Sequence, residues 1–244
     1  MRFTSHQRLD DTVLERSFTL GEIPGILWTS TSASASASAP LILLGHPGGL
    51  HAMYPRLAAR ARGCVAAGFA AATLELPGSG DRPRHPAAEQ ARADLRRALE
   101  VGEPVGEIVE RLVLPLVDRA VPEWRAALDE LLVLPEIGGP VGYAGGLISI
   151  GIRMAVLEPR IAAALLFAGS FVPAALVEQA RQITIPLQVL LQWDDEHNDR
   201  SQTLDLFDAF GSTEKTLHAN MGGHTGVPAF EGDSGNRFFT RHLR

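Results

Sequence analysis

From Pro40 onward the chain alternates short, continuous apolar runs with longer segments of helical period, and no other feature restricts the fold as much. The runs are LILLGH (41–46), FAAATLELPG (69–78), PVGYA (140–144), IAAALLFAGS (161–170), LQVLLQW (187–193) and TEKTLHAN (213–220). Each is too short for a helix, and a strand that is apolar on both faces is a strand buried on both faces. Helices are expected between them at about 53–67, 120–133, 146–157, 173–182, 202–210 and 229–243. Such repeats build an α/β fold: a twisted, mostly parallel sheet with helices on both faces and right-handed crossovers.

Ahead of this pattern, ERSFTL and GILWTS are joined through Gly21 and Pro24 and predict an antiparallel hairpin. The stretch STSASASASAP at 30–40 has no apolar side chain larger than alanine to bury and reads as a mobile surface connection. Residues 81–119 are too many for one connection. They carry two amphipathic helical patterns broken by Pro104, before the helix that contains Trp124. This is a small helical insertion, either a partial lid or an ordinary surface pair. With 244 residues and no break in composition, one domain over 1–244 is expected.

Composition removes several classes of function. The net charge is -6 with basic residues dispersed, so a phosphate backbone finds no stripe to bind and nucleic acid is not an expected partner. The lone Cys64 lies in an alanine-rich stretch, which suits a buried, inert thiol. The N-terminus MRFTSHQRLDDTVLERSF lacks the apolar segment of a secretory signal, and the best apolar run, IAAALLFAG, is too short to cross a bilayer. A soluble, cytoplasmic protein that acts on a small molecule without a cofactor is the expectation.

In a parallel sheet, ligands bind beyond the carboxyl ends of the strands. The first informative end runs into His46-Pro47-Gly48-Gly49. Backbone without side chains can approach a substrate here and offer amide donors, with Gly48 the first available because Pro47 has no N–H. A tight turn of no chemical consequence is the alternative. The second end is Gly142-Tyr143-Ala144-Gly145-Gly146, which has the form of a G-x-S-x-G strand-to-helix elbow with Ala144 at the nucleophile's position. Ser149 competes for that position, but an elbow there leaves only 150–157 for the next helix, so Ser149 is expected inside it. The third end, WDDEHND, offers Asp194 and Asp195 as a carboxylate to orient a histidine. Asp194, Asp195, Glu196, His197 and Asp199 also invite a metal reading, but consecutive residues point apart and no loop-ligand spacing is present. Solvated charge is expected for all but one of them. The fourth end, GGHTGVP, places His224 after the last strand, giving the chain order nucleophile position, acid, histidine.

These motifs resemble the α/β-hydrolases, and among them the compact esterases and dienelactone-hydrolase-like members. The likeness covers the chain from about residue 40: GHPGG, ELPGSGDRPR, GYAGG, WDDEHND and GGHTGVP fall in the family's order. The resemblance implies His224 as general base, Asp195 as its orienting acid in preference to Asp194, and the Gly48 and Gly145 amides as oxyanion hole. It implies hydrolysis of a carboxylic ester or lactone; a thioesterase or acyltransferase would use the same parts. Leu50, His51, Tyr143 and the insertion are expected as pocket walls, suiting a neutral substrate. The departure is Ala144, since a methyl cannot attack a carbonyl. One replacement of serine by alanine explains why the rest of the set is present, and the chain as written is expected to be nearly inert. The alternative is a non-catalytic small-molecule binder that has kept the hydrolase pocket.

Overall fold

The computed structural model describes residues 1–32, 38–196 and 198–244. Most of the Ser/Ala connection (33–37) and His197 lie outside the described residues. The first three strands, β1 (Arg2–Arg8), β2 (Val13–Leu20) and β3 (Ile23–Ser30), form an antiparallel meander. It joins the main sheet where β3 pairs antiparallel with β5 (Ala70–Leu74). Parallel pairing then runs through β4 (Ala39–Gly45), β6 (Ile137–Gly145), β7 (Ile161–Phe167), β8 (Leu187–Gln192) and β9 (Lys215–Asn220). The spatial order is β1-β2-β3-β5-β4-β6-β7-β8-β9.

Strand alternation sorts the apolar runs into two cores. Leu41, Leu43 and Tyr143 face α3 (Gly106–Leu131), α4 (Ile148–Leu157) and α5 (Ala174–Ala180). Ile42, Leu44 and Ala144 face α1 (Leu50–Ala66) and α7 (Phe230–Leu243). α2 (Pro86–Val101) packs on α3, and α6 (Arg200–Ala209) lies between β8 and β9 in sequence. Cys64 is buried on α1, and burial pushes its thiol up to about 11.

Two elements differ from expectation. β1 is an added edge strand whose residues are all exposed, so it carries no apolar pattern from which to read it. The second insertion helix and the Trp124 helix are one continuous α3, which runs through Pro115 and Pro122. Each proline forfeits a helical hydrogen bond, but Val117, Ala120, Val121, Trp124, Ala127 and Leu128 bury one face along the whole length, and that packing outweighs the breaks. Among the described residues, no helix is long and apolar enough to cross a membrane.

The helix behind the elbow is anchored at its far end by an ion cluster. The buried Glu158 carboxylate, at the C-terminus of α4, accepts from Arg160 Nε at 2.6 Å, Arg160 Nη2 at 2.7 Å and Arg125 Nε at 3.3 Å. Hydrogen bonding from Arg160 holds the carboxyl at about 2 against its ordinary 4.5. Because the folded value is depressed, the stabilisation is present above 4.5 and is lost as pH falls toward 2. The melting temperature of Glu158→Gln is therefore expected to lie below that of the parent at neutral pH and to converge with it in that acid window; parallel curves would remove the cluster from the acid response.

Candidate active site

β4 ends at Gly45 and the chain enters the loop before α1. His46 is buried and its Nε2 donates to Leu74 O at 2.7 Å, and burial pulls its pKa below the ordinary imidazole value. Glu75, at the end of β5, accepts from Leu50 N at 3.0 Å and so caps α1. Gly48 and Gly49 lie between these two braces. A β-carbon on Gly49 would stand 3.1 Å from Gly80 N, so a side chain there would push the two loops apart by a few tenths of an ångström.

The elbow falls later than the sequence motif suggests. Ala144 is still in β6, paired with Leu44 and Leu165, and its methyl is buried among Ile42, Leu44, Leu165 and Phe239. The residues in the left-handed conformation are Gly145 (φ 72°) and Gly146 (φ 74°), and α4 begins at Ile148. A β-carbon on Gly146 would meet the Gly45 and His46 backbone at 2.8 Å, which fixes glycine there. A β-carbon on Gly145 would instead meet the Arg60 guanidinium at 3.0 Å, the far end of a long side chain. Arg60 Nη1 donates to Gly45 O at 3.1 Å and its Nη2 to Ala144 O at 2.8 Å, tying together the two strand ends that flank the turn. Ser149 lies inside α4, as expected.

The acid and the histidine meet. His224 Nδ1 lies 2.8 Å from Asp195 Oδ2, the carboxylate side chain being 2% exposed. With Nδ1–H donating to the carboxylate, the neutral ring carries its lone pair on Nε2. The Phe167 ring, at the end of β7, packs edge-on against the imidazole at 5.6 Å between centroids. Asp194 is turned to the backbone: Gly222 N donates to its Oδ2 at 3.3 Å and its own N–H to Gly222 O at 3.1 Å. Glu196 accepts from His224 N at 3.2 Å, and Asp199 caps α6 by accepting from Ser201 N at 2.8 Å. The acids read as solvated charge thus lace the two loops and start a helix. An aspartate just before a helical segment was the legible signal for the cap. Among the described residues no three His, Cys, Asp or Glu side chains gather as a metal site.

Two cavities lie between the insertion and the strand ends. One of about 210 Å³ is walled by Leu76, Leu95, Leu112, Leu116, Leu147 and Phe171, and also touches Pro47 and Ser149. A second, of about 670 Å³, has Glu103, Glu110, Asn198, Gln202 and Asp205 in its wall and shares Val109, Ser170 and Phe171 with the first. Of the expected walls, the insertion lines both cavities, but Leu50, His51 and Tyr143 line neither. Tyr143 is buried in the core, edge-on to Trp124 at 6.3 Å, because it sits on the α3/α4 face of β6.

No family model and no curated protein matches the chain. Solved structures do. A cold-adapted esterase from an Arctic intertidal metagenomic library is 29% identical over the full length of both chains, with a TM-score of 0.76. A Pyrococcus furiosus esterase is 10% identical, covering 98% of this chain and 91% of its own, with a TM-score of 0.64. A Thermus thermophilus protein is 16% identical, with coverages of 99% and 98% and a TM-score of 0.65. The latter two identities speak for the fold alone. With its sheet order and strand-to-helix elbow, the chain has the α/β-hydrolase fold, and its structural neighbours include esterases of that type.

Proposed function

We propose that this chain carries the acid, base and amide donors of a cytoplasmic hydrolase of carboxylic esters or lactones, and that it lacks the nucleophile. The observation that carries the reading is the buried Asp195 carboxylate bonded to His224 Nδ1 at 2.8 Å, on loops that follow β8 and β9. A charge with one oriented imidazole partner is what a general base needs to hold its tautomer and its cationic form. With a serine in the elbow, His224 Nε2 takes the hydroxyl proton as oxygen attacks the carbonyl carbon. The carbonyl electrons move to oxygen, where backbone amides meet them. Collapse expels the alcohol with the proton from His224, and water repeats the sequence on the acyl-enzyme. Gly48 and Gly145 are the proposed donors for a nucleophile at 144; one at 145 shifts the second donor to Gly146.

The motif points to Ala144 for the nucleophile's place, whereas the left-handed backbone at Gly145 and Gly146 favours the later position 145. The test installs serine at each position separately and measures hydrolysis of phenyl acetate. Reaction in either variant that disappears with His224→Ala supports the reading; no reaction from either folded variant removes it. A second reading, a non-catalytic binder, draws on the absence of a nucleophilic side chain at 144, 145 and 146. In that case ester ligands raise the melting temperature by mass action while both serine variants stay inert.

A further inference from the structure

Gln192 ends β8 and is 1% exposed, yet only half of its amide is bonded. Nε2 donates to Gly223 O at 3.1 Å, while Oε1 has no hydrogen-bond partner among the described residues. The two ends of the amide cannot be exchanged, because Gly223 O only accepts and an oxygen facing it would be repelled. A buried acceptor left unpaired is costly, and an apolar side chain of the same size would avoid that cost. What the amide supplies in return is its donor bond, and that bond falls on the turn that carries His224.

Gly223 O also closes this turn by accepting from Gly226 N at 2.8 Å, with His224 and Thr225 as the central residues. The turn is moulded on the glutamine: a β-carbon on Gly226 would stand 3.2 Å from Gly223 O and 3.4 Å from Gln192 Nε2. The same residue opens the turn that carries the acid, since Gln192 O accepts from Asp195 N at 3.3 Å. The strand end thus reaches Asp195 through its carbonyl and the His224 turn through its side chain, and the two meet where Asp195 Oδ2 lies 2.8 Å from His224 Nδ1. Asp194 and Glu196 also link the loops, but both are exposed, and bonds open to water are readily exchanged for it. Gln192 is shielded.

We propose that Gln192 is the positioning residue of the Asp195–His224 pair, its buried amide holding the Gly223–Gly226 turn so that the imidazole stays on the carboxylate. That the imidazole acts as a base rests on the hydrolase reading; the tether does not. The chain as it stands suffices for the test, which follows solvent exchange of the His224 Nδ1 proton by NMR, with His224→Ala to identify its signal. Gln192→Met keeps the length of the side chain and removes the donor. Exchange is expected to quicken about fivefold, the population shift for losing one hydrogen bond, while amides of the sheet core keep their parent rates. The melting temperature should change little, because the lost bond and the removed unpaired oxygen act in opposite directions. A role confined to general packing would instead lower the melting temperature and quicken exchange throughout the sheet. Gln192→Glu supplies a second arm, since its carboxyl can donate to Gly223 O only while protonated. Compared with the parent at the same pH, exchange should match it in acid and approach the Gln192→Met rate in base, crossing above the ordinary glutamate value because burial favours the neutral form.

Unchanged exchange of the His224 proton in Gln192→Met, a change spread over the whole sheet, or a ratio for Gln192→Glu that does not vary between acid and base would each overturn the assignment. In whichever elbow-serine variant hydrolyses phenyl acetate, Gln192→Met is expected to lower kcat about fivefold with KM unchanged. Absence of hydrolysis from the serine variants defeats the hydrolase reading alone, since exchange is measured without it. Hydrolysis that is indifferent to Gln192→Met defeats this inference alone.

Discussion

Gly145→Ser is expected to convert the chain into an esterase that fluorophosphonate labels on the new serine, whereas Ala144→Ser is expected to stay unlabelled. At 144 a hydroxyl would enter the apolar layer among Ile42, Leu165 and Phe239 and cost about 1–3 kcal/mol as a buried unpaired group. It would point into the core and not toward substrate. At 145 the backbone is already left-handed at φ 72°, so a non-glycine residue there costs about 1–2 kcal/mol in strain. Its side chain must displace the Arg60 guanidinium at 3.0 Å and so weaken the bonds that guanidinium makes to Gly45 O and Ala144 O. Losing the nucleophile from an assembled triad costs on the order of a million-fold in turnover, and that figure bounds the gain. An unrefined first variant should recover about a hundredfold over the parent toward phenyl acetate. Labelling should vanish with His224→Ala in the same background. Labelling at 144 and not at 145 would return the nucleophile's place to the motif's position.

The parallel strands were legible because burial on both faces leaves an unbroken apolar run that nothing else in a soluble domain requires. β1 was not, since a strand exposed along its whole length has no pattern to read. The register of the elbow escaped for a different reason. Gly145 and Gly146 are adjacent and both tolerate positive φ, so composition cannot say where the turn falls; in the structure β6 stays paired through Gly145, and the left-handed residues are Gly145 and Gly146. The division of labour among the acids was hidden because neighbouring residues in a loop diverge by amounts the backbone alone sets. Asp195 reaches His224, Asp194 reaches Gly222 N, and Glu196 reaches His224 N. Ser149 could be placed inside its helix from spacing, but its complete burial depends on tertiary packing.

In the serine form, Asp195→Asn is expected to lower turnover by about ten-thousand-fold, and Asp194→Asn by less than about tenfold. The two substitutions make the same change in adjacent residues, so size and loop position cannot explain a difference. At 195 the carboxylate meets His224 Nδ1 at 2.8 Å and is shielded from water, with 2% of the side chain exposed. An amide there can present N–H to the ring, which draws the lone pair to Nδ1 and puts the proton on Nε2, facing the hydroxyl that should be deprotonated. It also removes the negative charge that stabilises the imidazolium during attack. At 194 the oxygen serves only as an acceptor for Gly222 N at 3.3 Å, and an asparagine oxygen can do the same. Steady-state kinetics on phenyl acetate, with melting temperatures to confirm that both variants fold, separates the two roles. Equal losses would show that the loop and not the carboxylate–imidazole bond is being measured, and a larger loss at 194 would transfer the orienting role to Asp194.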